Sequence, residues 1–152
     1  MQRARWIIGL SVSALLGVAL TGLVGLVGSA TLIMAPPDAA QVAQVVAAPT
    51  PRHDPSKRTV AVVLGNTRTE ATDFLAPYAM FAESDVYNVY AVADSRQIRT
   101  LAGGVDIVPQ ITFAELATRV PAGPDVIVVP AIEDIRSPGN APVLDWLRRH
   151  AE

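Results

Sequence analysis

"TVAVVLG", residues 59–65, decides the fold. It is an unbroken apolar, β-branched run that ends in glycine. Strands buried on both faces of a parallel sheet read this way, whereas a half-exposed strand alternates polar with apolar. The flanking sequence on either side therefore has to supply helices for both faces.

C-terminal to that run lies "NTRTEATDFLAPYAMFAES", residues 66–84. Thr67 and Glu70 have the spacing of a capping box. Phe74, Leu75, Tyr78 and Phe81 fall on one helical face. "VYNVYAVA" (86–93) reads as a second strand. "QIRTLAGGVDIVPQ" (97–110) reads as two short strands around Gly103–Gly104, a hairpin turn. Thr112 and Glu115 form a second capping box ahead of the short helix "FAELAT". "DVIVVPA" (125–131) is another buried-type strand, and "IEDIRSPGN" (132–140) is a loop. Asn140 is placed to cap a final helix, with Pro142 in its first turn. That helix sets Val143, Leu144, Leu147 and Ala151 on one side. Strands alternating with helices imply an α/β three-layer, flavodoxin-like sandwich with a mostly parallel sheet. Ligands of such folds bind beyond the carboxyl ends of the strands. The loops Gly65–Asp73 and Pro130–Asn140 are the candidates for that region, and Gly65 and Asp73 open and close the first.

N-terminal to residue 59 the composition changes. Arg3 and Arg5 precede a stretch with no charge until Asp38. Residues Trp6 to Ala35 exceed the 20 or so apolar residues that cross a bilayer core of about 30 Å. Residues 1–35 are thus expected to be a signal-anchor transmembrane helix. The basic residues on its short side put the N-terminus in the cytoplasm and the domain outside it. A cleaved signal peptide, with Gly28–Ala30 as its cleavage region, is the competing reading, and the length of the run disfavours it. Residues 36–58 hold five prolines and read as a semi-rigid tether, with a short helix over "AAQVAQVVAA" (39–48) and a solvated His53.

The totals exclude several classes of function. The 152 residues contain no cysteine, so disulfides, zinc–thiolate sites and thiol nucleophiles are absent from them. No spacing suits a metal, and no Gly-rich phosphate loop is present, so neither metal nor cofactor is expected. Residues 59–152 carry seven basic and twelve acidic side chains, which argues against a nucleic-acid surface. Asp73 stands in the first helical turn after a strand, with Pro77 four residues on. Pro77 cannot donate to the carbonyl of Asp73, so the helix is expected to loosen there and turn Asp73 toward the strand ends. The competing view is an exposed acid favoured by the helix dipole.

Three features resemble one family: the acid-x-x-x-Pro element Asp73–Pro77 after the first strand, "LAGGVDIVPQITFAEL" (101–116), and "PDVIVVP" (124–130) followed by the Trp146 helix. Together they are similar to the first half of a ThiJ/PfpI domain, of the class I glutamine amidotransferase-like superfamily. The amidase-like domains of transcriptional regulators and of isonitrile-hydratase-like proteins are nearest in style. The resemblance spans residues 59–152. It implies that the helix "PVLDWLRRHAE" leads into a strand and a sharp turn bearing a nucleophilic cysteine, and that the acid at Asp73 contacts that cysteine. It further implies that the backbone N–H groups of Ala131 and Ile132 belong to an oxyanion site. The family often has glycine at that point, so Ile132 is a departure. A chain that stops before the turn is expected to be non-catalytic as it stands. It would be a truncated product, a ligand-binding or sensor module outside the membrane, or one half of a split hydrolase or lyase completed by a second chain or an oligomer. Half a sheet is also expected to be marginal in stability and prone to associate through its edge.

Overall fold

The computed structural model describes residues 19–24 and 38–151. The chain divides into two compact units, Met1–Gln41 and Val42–Glu152. In the first, residues 19–24 are helical, with Leu20, Leu23 and Val24 more than half exposed. Among the described residues no helix is long and apolar enough to cross a membrane. The expected transmembrane helix, and with it the signal-anchor and the extracytoplasmic placement of the domain, is corrected accordingly. The rest of the 1–35 stretch lies outside the described residues.

A helix labelled α1 (Ala39–Val46) is started by Asp38, whose Oδ1 accepts from the Ala40 N–H at 3.0 Å. The α/β domain then runs β1 (Arg58–Val63), α2 (Ala71–Ala82), β2 (Tyr87–Ala93), β3 (Arg99–Thr100), β4 (Asp106–Ile107), β5 (Ile111–Thr112), α3 (Phe113–Arg119), β6 (Val126–Val128), a 3-10 turn (Pro138–Asn140) and α4 (Ala141–His150). The main sheet is wholly parallel, in the order β5-β2-β1-β6. β3 and β4 pair antiparallel as a separate hairpin. Its turn needs φ of +86° at Gly103 and +84° at Gly104, which only glycine adopts without strain. The two-residue β5 was not anticipated, because a pair of residues carries no periodicity to read.

The unbroken apolar run behaves as its composition requires. Thr59 through Val63 are all buried, and alternate side chains feed two cores. Val60, Val62 and Leu64 meet Phe74 of α2 and Leu101 of the hairpin. Ala61 and Val63 meet Phe113 and Leu116 of α3 and Val143 and Trp146 of α4. The result is a three-layer sandwich with helices on both faces. Phe113 and Trp146 stack with ring centroids 4.6 Å apart and fix α4 to α3.

Three details differ from the sequence reading. Leu75 is 43 % exposed and lies off the buried face of α2, which is made by Phe74, Tyr78 and Phe81. The buried face of α4 runs through Val143, Trp146 and Leu147, one step round from the stripe expected through Leu144 and Ala151. Finally, the end of the tether is strapped to the base of the sheet. His53 Nδ1 lies 3.1 Å from Tyr90 Oη, Asn88 bonds Asp54 through both its backbone groups, and Arg119 Nη1 donates to the Pro51 carbonyl.

Candidate functional site

Three segments leave the carboxyl ends of adjacent parallel strands and meet. Residues 64–70 follow β1, residues 94–100 follow β2, and residues 129–137 follow β6. Thr69, 1 % exposed, ties the first to both neighbours. Its Oγ1 accepts from the Gly65 N–H at 3.0 Å, its carbonyl accepts from the Ala102 N–H at 2.8 Å, and its backbone bridges to Leu101 and Ile132. A buried threonine whose polar groups are all engaged fixes the loop as firmly as a strand would.

Asn140 is the second tie. It is fully buried, and its side chain joins four partners. Oδ1 accepts from the Asn66 N–H at 2.8 Å, and Nδ2 is shared among Thr67 Oγ1, the Asp134 carbonyl and Ser137 Oγ. It stands at the start of α4 as expected but makes no side-chain cap bond there. Thr67 is likewise diverted. Its hydroxyl donates to the Glu133 carbonyl, so α2 starts at Glu70 without a capping box. The second capping box does form: Thr112 Oγ1 accepts from the Glu115 N–H, and Glu115 Oε2 accepts from the Thr112 N–H. That backbone bond, with the Thr112 hydroxyl, holds the Glu115 carboxyl below its ordinary value.

The four residues singled out from sequence are gathered by this scaffold. Asp73 sits in the first turn of α2, exposed, with Oδ2 accepting from the Ala131 N–H at 3.2 Å. The Ala131 carbonyl in turn accepts from the Glu70 N–H at 2.8 Å, so α2 and the β6 loop are clasped at two points. Gly65 is buried under Ile132. A Cβ on Gly65 would lie 2.4 Å from Ile132 Cγ2, so glycine is what permits that approach. Pro77 is accommodated within α2, which continues from Ala71 to Ala82. A cleft of about 360 Å³ opens beside this clasp, lined by Arg68, Glu70, Ala102, Ala131, Ile132 and Glu133.

Thr69, Asn140, Asn66 and Asp94 were not singled out from sequence as members of the site. Their partners lie up to 74 residues away, and no spacing rule reaches that far. Among the described residues no group of three or more His, Cys, Asp and Glu is placed to hold a metal ion. A larger hollow of about 530 Å³ lies at the opposite end of β2, between residues 51–57 and Tyr87–Tyr90. It is remote from the strand ends where ligands of parallel sheets bind.

No family model matches the sequence, and no curated protein matches it. Among solved structures, a ThiJ/PfpI family protein from Pseudomonas syringae has a similar fold, with a TM-score of 0.51 at 22 % identity over 64 % of this chain. The chain spans 42 % of that protein's length. The likeness is one of fold.

Proposed function

We propose that residues 59–152 are the acid-bearing part of a ThiJ/PfpI-like, amidotransferase-like domain. In this reading Asp73 and the loop after β6 form one wall of a site whose thiolate comes from polypeptide outside these 152 residues, joined in the same chain or contributed by a second one. The observation that carries the reading is the clasp of Asp73 Oδ2 on the Ala131 N–H, which sets a carboxylate at the carboxyl end of the sheet against the loop after β6. With no cysteine among the 152 residues, they have no thiol chemistry of their own.

The open edge of the sheet supports a place for that polypeptide. In a strand, successive residues turn their backbone groups to opposite sides. The Asp125 N–H donates to the Thr59 carbonyl, so Asp125 and Ile127 face β1 while Val126 and Val128 face away from it. β6 is the last strand in the order, and its three residues are only half buried. A further strand pairing there would bring its own carboxyl end next to Asp73.

The test is a chimera in which a segment carrying the strand and cysteine turn that the family resemblance implies is fused after residue 152. Its cysteine is expected to be alkylated faster at neutral pH than a free thiol, with the rate changed about tenfold or more by Asp73→Asn. Equal rates in the two proteins would overturn the assignment.

A second reading is favoured by a specific observation. The Ala131 N–H is already taken by Asp73, and Ile132 fills the space above Gly65. A site closed in this way suits a module that binds a ligand without transforming it. A chimera that folds and binds but whose cysteine reacts as a free thiol would select that reading.

A further inference from the structure

Two arginines from different segments line a second cleft, of about 390 Å³, next to the Asp73 clasp. Arg68 comes from the loop after β1 and Arg99 from the start of β3. Asn66, Thr67, Thr100 and Glu133 complete the wall. This polar hollow adjoins the other cleft through Arg68 and Glu133.

The Arg99 side chain is only 10 % exposed, a degree of burial that a guanidinium keeps only when paired. Asp94 is the partner. Arg99 Nη2 lies 2.5 Å from Asp94 Oδ1, and Asn66 Nδ2 donates to Asp94 Oδ2 at 2.9 Å. Two polar atoms flanking this carboxylate are nevertheless left over. Arg99 Nε and Asn66 Oδ1 are both buried without a partner among the described residues. A donor and an acceptor left without partners around one carboxylate, just behind the wall of a cleft, leave this network short of polar contacts.

Arg68 is held differently. It is exposed, and its ion pair is a single contact from Nε to Glu133 Oε2 at 3.3 Å, with both side chains more than half exposed. Such a pair is weak and exchangeable. Glu133 itself is fixed by its backbone: its N–H donates to the Arg68 carbonyl and its carbonyl accepts from Thr67. Its carboxylate is therefore free to leave without disturbing the loop.

We propose that this cleft binds a small molecule through an oxyanion group, carboxylate or phosphate. Arg68 and Arg99 are the anchors, and the Glu133 carboxylate holds the ligand's place until it is displaced. Arg68 takes the anion through the two N–H groups of its fork, as guanidinium groups do with carboxylates and phosphates. Arg99, locked by Asp94, supplies a preset second contact. The inference is independent of the thiol reading, because neither Asp73 nor a cysteine takes part.

Calorimetric titration of the full chain with inorganic phosphate and, separately, with malonate at low ionic strength tests it. One of the two is expected to bind saturably at one site. Arg68→Gln is expected to weaken that binding about tenfold or more, and Glu133→Gln to strengthen it, both by removing only exposed groups. The tighter of the two anions identifies the ligand class. Saturation by neither anion, or affinities unchanged in Arg68→Gln and Glu133→Gln, would overturn the proposal.

Discussion

Gly65 and Ile132 show how a single missing methyl group shapes the site. The loop after β1 passes so close under Ile132 that a Cβ on residue 65 would lie 2.4 Å from Cγ2. Gly65→Ala is therefore expected to destabilise the domain by about 1–3 kcal/mol, the usual cost of overpacking. The double variant Gly65→Ala/Ile132→Ala is expected to recover part of that loss, because the two residues share one space. Urea denaturation of the four proteins of the cycle measures both, and strict additivity would show that the clash does not govern the approach. Gly65 was legible in the sequence as the end of an apolar run, but its partner was not. Asn140 is the sharper case. Its sequence neighbours make it a helix cap, whereas its side chain ties together residues 66, 67, 134 and 137. Tertiary hydrogen bonds outcompeted the local one, and nothing local could announce it.

Elements bear out the same competition. Two capping boxes have the same spacing in the sequence, and only Thr112–Glu115 forms. Thr67 is pulled into the loop network by Asn140 and the Glu133 carbonyl, while the Thr112 hydroxyl stays with Glu115. Strand positions, the hairpin glycines and the helix order were legible because period and turn chemistry are local. The faces of α2 and α4 were off by one side chain because packing partners choose among neighbouring stripes. Thr112→Ala is expected to cost about 1 kcal/mol in denaturant stability. The pH dependence has a definite sign. The folded Glu115 carboxyl is held low by the Thr112 N–H and hydroxyl, so its contribution is present above the unfolded-state value of about 4.3 and is lost as pH falls through the folded one. The gap between wild type and Glu115→Gln, which removes the titrating carboxyl, should thus narrow on acidification. A gap that stays constant from neutral pH to about pH 2 would contradict this.

At the scale of the whole molecule the longer of the two sheet margins is β6. β6 turns the backbone groups of Val126 and Val128 outward, and Val129 is 51 % exposed. Apolar unpaired edges recruit other strands. Without an added strand the chain is expected to self-associate as concentration rises, and Val129→Lys to reduce that association, since charge on an edge opposes pairing. Sedimentation velocity over a range of concentrations distinguishes this from a monomer indifferent to both changes. The sheet and its parallel direction were legible from one buried run and its alternation with helices. The transmembrane reading of the N-terminal stretch is corrected on one ground: among the described residues no helix is long and apolar enough to cross a membrane. The central claim is that α2 and the β6 loop are joined through a carboxylate at that end of the sheet. The most direct measurement is amide hydrogen exchange at Ala131 in the wild-type chain and in Asp73→Ala. The Ala131 N–H is expected to be protected and to lose its protection in the variant, while the Phe74 amide within α2 keeps its own. Equal protection of Ala131 in both proteins would contradict the claim.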